Sequence, residues 1–310
     1  MRPRVILAAA LASIVLGGLL LVPAAFAKLR DEPGSAQSGV GTPTPTPKPS
    51  PTPPPPPPPP TLAPQPVSAK VNGFLSWALM DLDSGRINGS RNIAATNTTE
   101  SMIKIWLVAD YLRRTAEKKR KPTAERLKQA SVAIRDSSDS AAQSLYAAGG
   151  RNAVVGRMIK ICKLTDTKIY SGWWSRTRIS ARDAVRLGAC VADGRAAGPQ
   201  WTKWVLAEMR NVRGTAAKKD QRLTSGGGRW GIVDGLPPEI LEQGVAIKNG
   251  WTAIGSDNSW HVNCLAVHRD WALAVLMRYP ARQGLLYGAG VCKQVTQQLV
   301  FQPPPPGGAS

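Results

Sequence analysis

Three short stretches of the chain carry side chains whose chemistry and spacing belong together. The first is Ser101-Met102-Ile103-Lys104, inside TTESMIKIWLVADYL, where nearly every neighbour of the lysine is apolar. A run that is apolar around most of its circumference predicts a buried helix, and a spacing of three puts Ser101 and Lys104 on one face of it. A serine hydroxyl is a weak nucleophile until a base takes its proton. A lysine can be that base when neutral, and burial beside a second cation lowers its pKa from about 10.4. The start of a helix, where unpaired N–H groups gather, favours the negative charge that such an attack develops.

The second stretch is Ser138-Asp139-Ser140, in IRDSSDSAAQSLY. It sits at a predicted loop-to-helix junction, where serine and aspartate also serve as caps, so a capping role and a chemical role stand side by side. The third is Lys248-Asn249-Gly250, closing the apolar strand run GVAIKNGW. A lysine at a strand end is ordinarily solvated, whereas a glycine beside it permits close approach of another backbone. Ser256-Asp257-Asn258 repeats the pattern of the second stretch, but only eight residues after Lys248, and reads as a turn between strands.

In this order the three stretches resemble the S-x-x-K, S-D-N and K-T-G signatures of the serine β-lactamase and penicillin-binding protein superfamily, class A β-lactamases in particular. The resemblance extends over residues 67–302. It implies that Ser101 is acylated, that Lys104 is its general base and that Ser138 relays a proton to the leaving nitrogen. Ser140, Lys248, Asn249, Gly250 and Trp251 then bind substrate, with Lys248 holding its carboxylate and lowering the Lys104 pKa. The N–H groups of Ser101 and Trp251 form the oxyanion hole. The implied substrate is a β-lactam or a D-alanyl peptide-like molecule, with no cofactor.

The departures matter as much. Ser140 stands where the family has asparagine and Asn249 where it has threonine. Between Lys163 and Ser180 the only acid is Asp166, in a turn, so the glutamate that activates water in class A β-lactamases has no counterpart. The expected enzyme therefore deacylates slowly; its rival is a catalytically impaired wall-binding module of the same fold. A Ser-His-Asp hydrolase is disfavoured, because there is no G-x-S-x-G elbow and His261 lies in the alternating strand WHVNC. Neither His261 nor His268 is spaced from carboxylates or cysteines as a metal ligand would be.

The elements that must position these groups follow from pattern. GFLSWALMDLDSGRI reads as a hairpin turning at Asp83-Ser84-Gly85. Residues 101–209 are mostly helical in period, with glycines near the segment ends. After Gly226-Gly227-Gly228 strands return, turning at Arg269-Asp270, and GLLYGAGVCKQVTQQLVF closes as a helix. Strands, helices, strands and a helix predict an α+β fold, an antiparallel sheet built from N- and C-terminal segments with an all-helical lobe inserted.

Residues 1–27 read as an export signal, with Arg2 and Arg4 before an apolar stretch, Pro23, and an Ala25-Phe26-Ala27 cleavage site. The stretch is long, so an uncleaved membrane anchor stays open. No cysteine lies near the cut, which argues against a lipoprotein. Residues 28–66 form a proline-rich spacer of extended character, residues 67–302 the domain, and residues 303–310 a tail. The formal charge of +20 fits an anionic wall or membrane surface and equally fits mere solubility. No basic run is interleaved with stacking aromatics, so nucleic acid is not an expected partner. Nothing indicates more than a monomer. Four cysteines in an exported chain allow three pairings; Cys162 with Cys190 and Cys264 with Cys292 are favoured, since each closes a loop within one half of the domain.

Overall fold

A computed structural model describes residues 57–221 and 226–304; the expected export signal, and residues 28–56 of the spacer, lie outside them. Strand β1 (Thr61–Leu62) is followed by the hairpin β2 (Phe74–Asp81) and β3 (Ile87–Gly89), then β4 (Thr96–Thr98). A 3-10 turn, Glu100–Ile103, leads into helices α1 (Lys104–Glu117), α2 (Ala124–Arg135), α3 (Asp139–Ala148) and α4 (Asn152–Ile161). After β5 (Arg178–Ser180) come α5 (Ala181–Ala192), α6 (Thr202–Arg210), α7 (Lys218–Gln221) and α8 (Pro238–Glu242). The chain then returns through β6 (Ala246–Ile247), β7 (Gly250–Ile254), β8 (Ser259–Val267) and β9 (Trp271–Pro280) to α9 (Gly284–Leu299) and β10 (Val300–Phe301).

The main sheet runs β3-β2-β9-β8-β6 and is antiparallel throughout; β7 pairs with β8 beyond the reach of β6. Its centre is legible in composition. WALAVLM on β9 and CLAV on β8 are continuous apolar runs rather than alternating ones, and a strand of that kind is covered on both faces. Helix α5 packs on β2, β8 and β9, and α9 on β8 and β9, so these strands are buried along almost their whole length. The sheet is thus formed by the two ends of the domain, with the helices of the other lobe between them in sequence, as the element order predicts.

Helix α1 is the axis of the helical lobe, touching α2, α3, α4, α5 and α6. Residues 104–110 are all buried, as the unbroken apolar run requires. Its one internal acid, Asp110, is 1 % exposed and takes a bidentate pair from Arg157 (2.8 and 2.6 Å) and a third bond from Arg113 (2.7 Å).

Two disulfides fasten the halves separately. Cys162–Cys190 ties the end of α4 to α5, and Cys264–Cys292 ties β8 to α9, the pairing favoured by sequence. Each closes a loop of sequence separation 28, which on loop-entropy grounds stabilises the fold by about 3–4 kcal/mol.

One expected boundary shifts. Residues 61–62, assigned by composition to the spacer, pair with β10 through Thr61↔Phe301 and Leu62↔Val300, and Gln302 donates to the Pro58 carbonyl (2.8 Å). Leu62 is buried against the core. A single apolar residue at the end of a proline tract carries no periodicity, which is why composition hides it.

Candidate active site

Ser101 lies on the 3-10 turn that precedes α1, and the chain entering that turn is tied to the sheet. The buried Asn263 amide on β8 donates to the carbonyls of Thr98 (2.7 Å) and Thr99 (3.2 Å), and Asn97 bonds to Asn263 Oδ1 (2.9 Å) and to the Met277 carbonyl (3.1 Å). Glu100, the residue before Ser101, is held at φ +46°, a left-handed conformation that costs a non-glycine residue on the order of 1–3 kcal/mol and clusters at functional sites. On the other side β7 presses directly on the turn. A Cβ added at Gly250 would fall 2.6 Å from the Met102 nitrogen, 2.6 Å from the Thr99 carbonyl and 2.9 Å from the Ser101 nitrogen. Only glycine fits there, and this contact sets the start of β7 against the amide of Ser101.

Two fully buried lysines converge behind the serine. Lys104 Nζ donates to the Ser137 carbonyl, to Ser137 Oγ (3.2 Å) and to Asp139 Oδ1 (2.6 Å). Lys248 Nζ donates to the same Ser137 Oγ (2.8 Å) and to the Asn249 carbonyl (3.3 Å). Burial pushes the Lys104 pKa down, opposed by the Asp139 carboxylate and Glu100. Burial first, and then the charge of Lys104, hold Lys248 well below the usual lysine range. Each amine also faces an indole: Lys104 Nζ is 5.4 Å from the Trp174 ring centre and Lys248 Nζ 5.8 Å from that of Trp251.

The hydroxyl between the lysines corrects the sequence reading, which gave this place to Ser138. It belongs to Ser137, whose φ of +55° turns its side chain inward. Ser138 is instead the N-cap of α3, its Oγ accepting from the Ala141 amide (3.3 Å). In RDSSDSA the motif is therefore Ser137-Ser138-Asp139, one residue earlier than read. The position that touches the lysine is held by Asp139, and Ser140 sits beyond it, with Oγ 3.2 Å from Ser138 Oγ. Three serines around one aspartate allow two registers, and the capping preference of Ser138 was the signal that distinguishes them.

A cavity of about 510 Å³ opens over Ser101, with walls that include Glu100, Asp139, Ser140, Trp174, Arg176 and Trp251. Ser101, Ser140 and Trp251 line it as the sequence predicts. Asn249 does not; its buried amide donates to the carbonyls of Gly228 (3.0 Å) and Trp230 (2.8 Å), so it braces the segment behind the strand rather than meeting a ligand. Lys248 is likewise absent from the lining and 0 % exposed, so its charge acts through Ser137. A larger cavity, about 590 Å³, lies between residues 64–71 and the β2–β3 hairpin, but Arg91 is its only charged side chain and it holds no catalytic constellation.

The wall facing α3 is Trp173-Trp174-Ser175-Arg176, without an acid. Trp174 is buried and anchored by Nε1 to Gln143 Oε1 (2.9 Å). Asp166 plays the turn role expected of it, accepting from the Ser180 hydroxyl (2.7 Å) and from Arg182 (2.7 and 3.1 Å). The acids lining the cavity are Asp139 and Glu100. Sequence reading overlooked Glu100, although it adjoins Ser101, because an acid before a helix start reads as a dipole partner.

Comparison with solved structures places this architecture. The protein aligns with PBP-A at a TM-score of 0.56 and 16 % identity, over 77 % of this chain and 97 % of that one. A β-lactamase from Xanthomonas campestris aligns at 0.55 and 16 % identity, over 74 % and 91 % of the two chains. The fold is that of the serine β-lactamases and penicillin-binding proteins. Within this β-lactamase-like fold, a variant of PBP-A solved as an acyl-enzyme complex with penicillin G aligns at 0.56 and 16 % identity, over 75 % of this chain and 90 % of that one. No family model matches the sequence. Among curated proteins, "Putative lipoprotein LppW" of Mycobacterium tuberculosis and of Mycobacterium bovis is 31 % identical over 198 residues, 62 % of this chain. The matched stretch spans 58 % of the length of those relatives.

Proposed function

We propose that the protein is an exported serine hydrolase that forms an acyl-enzyme at Ser101 with a β-lactam or a D-alanyl peptide-like amide, and releases it slowly. The observation that carries this reading is the convergence of two buried lysines on the Ser137 hydroxyl, one helical turn from a serine at the wall of a cavity. In this scheme neutral Lys104 takes the Ser101 proton, and Ser101 Oγ adds to the carbonyl carbon. The oxyanion is held by the N–H groups of Ser101 and Trp251. The proton then passes from Lys104 through Ser137 to the departing nitrogen as the C–N bond breaks, leaving an ester on Ser101. The acyl-enzyme recorded for the PBP-A variant of the same fold supports the type of intermediate.

A second reading, a wall-binding module with impaired chemistry, is favoured by one feature. The three N–H bonds of the Lys104 ammonium, all it has to give, go to Ser137 and Asp139, and the carboxylate stabilises the charged form. Intact-mass analysis after incubation with penicillin G or an activated ester decides between the two. The hydrolase gives an adduct on Ser101 that is lost in Ser101→Ala; no adduct on either the parent protein or Asp139→Asn establishes the binding module.

The body is assigned to the outer face of the cell envelope, on the proline-rich spacer and the two disulfides, which persist in oxidising compartments. The lipoprotein name of the relatives agrees with that address. All four cysteines of this sequence are in disulfides.

A further inference from the structure

Of the two acids lining the cavity, Asp139 is occupied by Lys104, and Glu100 has no cation bonded to it among the described residues. Glu100 Oε1 accepts from the Thr98 hydroxyl at 2.7 Å. The same hydroxyl lies 2.7 Å from His261 Nδ1, and His261 Nε2 lies 2.7 Å from Asp257 Oδ2. Glu100, Thr98 and His261 are buried, whereas the Asp257 side chain, on the turn between β7 and β8, is 43 % exposed. An unbroken line of short hydrogen bonds thus runs from solvent to the wall beside Ser101.

Counting hydrogens shows what the line can do. A carboxylate at Asp257 accepts, so His261 Nε2 carries its hydrogen. The two remaining bonds, His261 to Thr98 and Thr98 to Glu100, need two hydrogens, and the threonine hydroxyl supplies one. The second sits either on His261 Nδ1, with Glu100 ionised, or on the Glu100 carboxyl, with His261 neutral. A concerted shift through Thr98 interconverts the two arrangements without changing the total charge. Burial raises the Glu100 pKa and lowers that of His261, bringing the two groups together. The other charges facing them are Arg278 and Arg176 toward His261, and Arg176, Asp139 and Lys104 toward Glu100.

We infer that Glu100 is the acid that exchanges protons with water in this cleft, connected through Thr98 to His261 and Asp257, and that it activates the water that hydrolyses the Ser101 ester. The second part rests on the acyl-enzyme reading above. Glu100 carboxylate removes a proton from water as the water oxygen bonds to the acyl carbon. As the bond from that carbon to Ser101 Oγ breaks, the proton returns to Ser101 Oγ, giving free acid and the original hydroxyl. The exchange with His261 sets how much of Glu100 is ionised at the start.

Two measurements on the full chain test this separately. In a Ser101→Ala background, where no turnover intervenes, the His261 ring is titrated by NMR. Glu100→Gln is expected to lower its midpoint by about half a unit or more, since a nearby carboxylate favours the imidazolium; Asp257→Asn, on the exposed turn, lowers it as well. With Thr98→Val the Glu100 effect shrinks. An unchanged midpoint in Glu100→Gln overturns the connection. The second measurement follows decay of the penicillin or activated-ester adduct in single turnover. Glu100→Gln is expected to lengthen the adduct lifetime by about 10²-fold, more than it slows adduct formation, and to flatten the pH profile of decay. Equal lifetimes overturn the water-activating role. Absence of any adduct on the parent protein overturns the Ser101 reading and that role with it, whereas the connection still stands or falls on the titration.

Discussion

Helix α1 carries two buried charge clusters, six residues apart, that are built on opposite terms. At Asp110 one carboxylate is hydrogen-bonded by two guanidinium groups, one of them bidentate, with a third, Arg114, 4.0 Å away. At Lys104 two ammonium groups share a serine hydroxyl, and the only carboxylate bonded to them, on Asp139, is 83 % exposed. The first arrangement gives the carboxylate three short bonds, and its residues line neither of the two cavities described above. In the second both ammonium groups are fully buried, burial lowers both lysine pKa values, and Asp139 and Ser101 line the cavity beside them. A buried carboxylate enclosed by always-charged guanidinium groups braces the fold; buried amines beside an exposed carboxylate store a reactive protonation state.

The widest separation between the clusters is in chemistry. Lys104→Met and Ser101→Ala are expected to lower the rate of adduct formation with an activated ester by about 10³-fold or more, as loss of a general base or nucleophile does. Asp110→Asn leaves adduct formation by the folded fraction nearly unchanged, measured by stopped-flow at a temperature well below unfolding. The order reverses for stability. Asp110→Ala removes the buried carboxylate that pairs with Arg157 and Arg113 and is expected to cost about 3 kcal/mol in urea denaturation. Lys248→Met removes an uncompensated buried cation and is expected to stabilise by about 1–4 kcal/mol, while adduct formation collapses. An equal loss of stability in both variants would erase the contrast.

A pH series sharpens it further. Burial lowers the folded-state pKa of Lys104 and Lys248 below the unfolded value of about 10.4. The unfolded chain therefore binds more protons between the folded and unfolded values, and stability rises with pH across that window. The rise between neutral pH and about pH 10 is expected to be steeper in the parent protein than in Lys248→Met, compared by urea midpoints. Adduct formation rises over the same window as Lys104 loses its proton. The smallest expected effect is that of Asp139→Asn, which removes the carboxylate that favours charged Lys104. It shifts the rate profile to lower pH and speeds adduct formation at pH 7 about tenfold, the factor that one pKa unit supplies.

Much of this was legible because it depends on local pattern. The apolar ring around Lys104, the doubly buried runs of β8 and β9 and the glycine after Asn249 each follow from one residue type in one place. The misplaced serine shows the limit: Ser137 and Ser138 are chemically identical, and the left-handed backbone turn at Ser137 decides which of them faces the lysines. Asn249 escaped for a related reason, since its partners, the carbonyls of Gly228 and Trp230, come from a different part of the chain. His261 and Asp257 lie four apart across a hairpin turn, a spacing that carries no helix-like signature on a strand. Their contact becomes visible only when the turn closes.

Where the chain enters and leaves the body has a mechanical consequence. Residues before the described part connect to β1, which is held by two residue pairs to β10, with Gln302 bonded back to Pro58. Tension arriving along the proline tract therefore loads this short clasp before it reaches β2. With two residue pairs against the eight that join β2 to β9, the clasp is expected to part before the main sheet does.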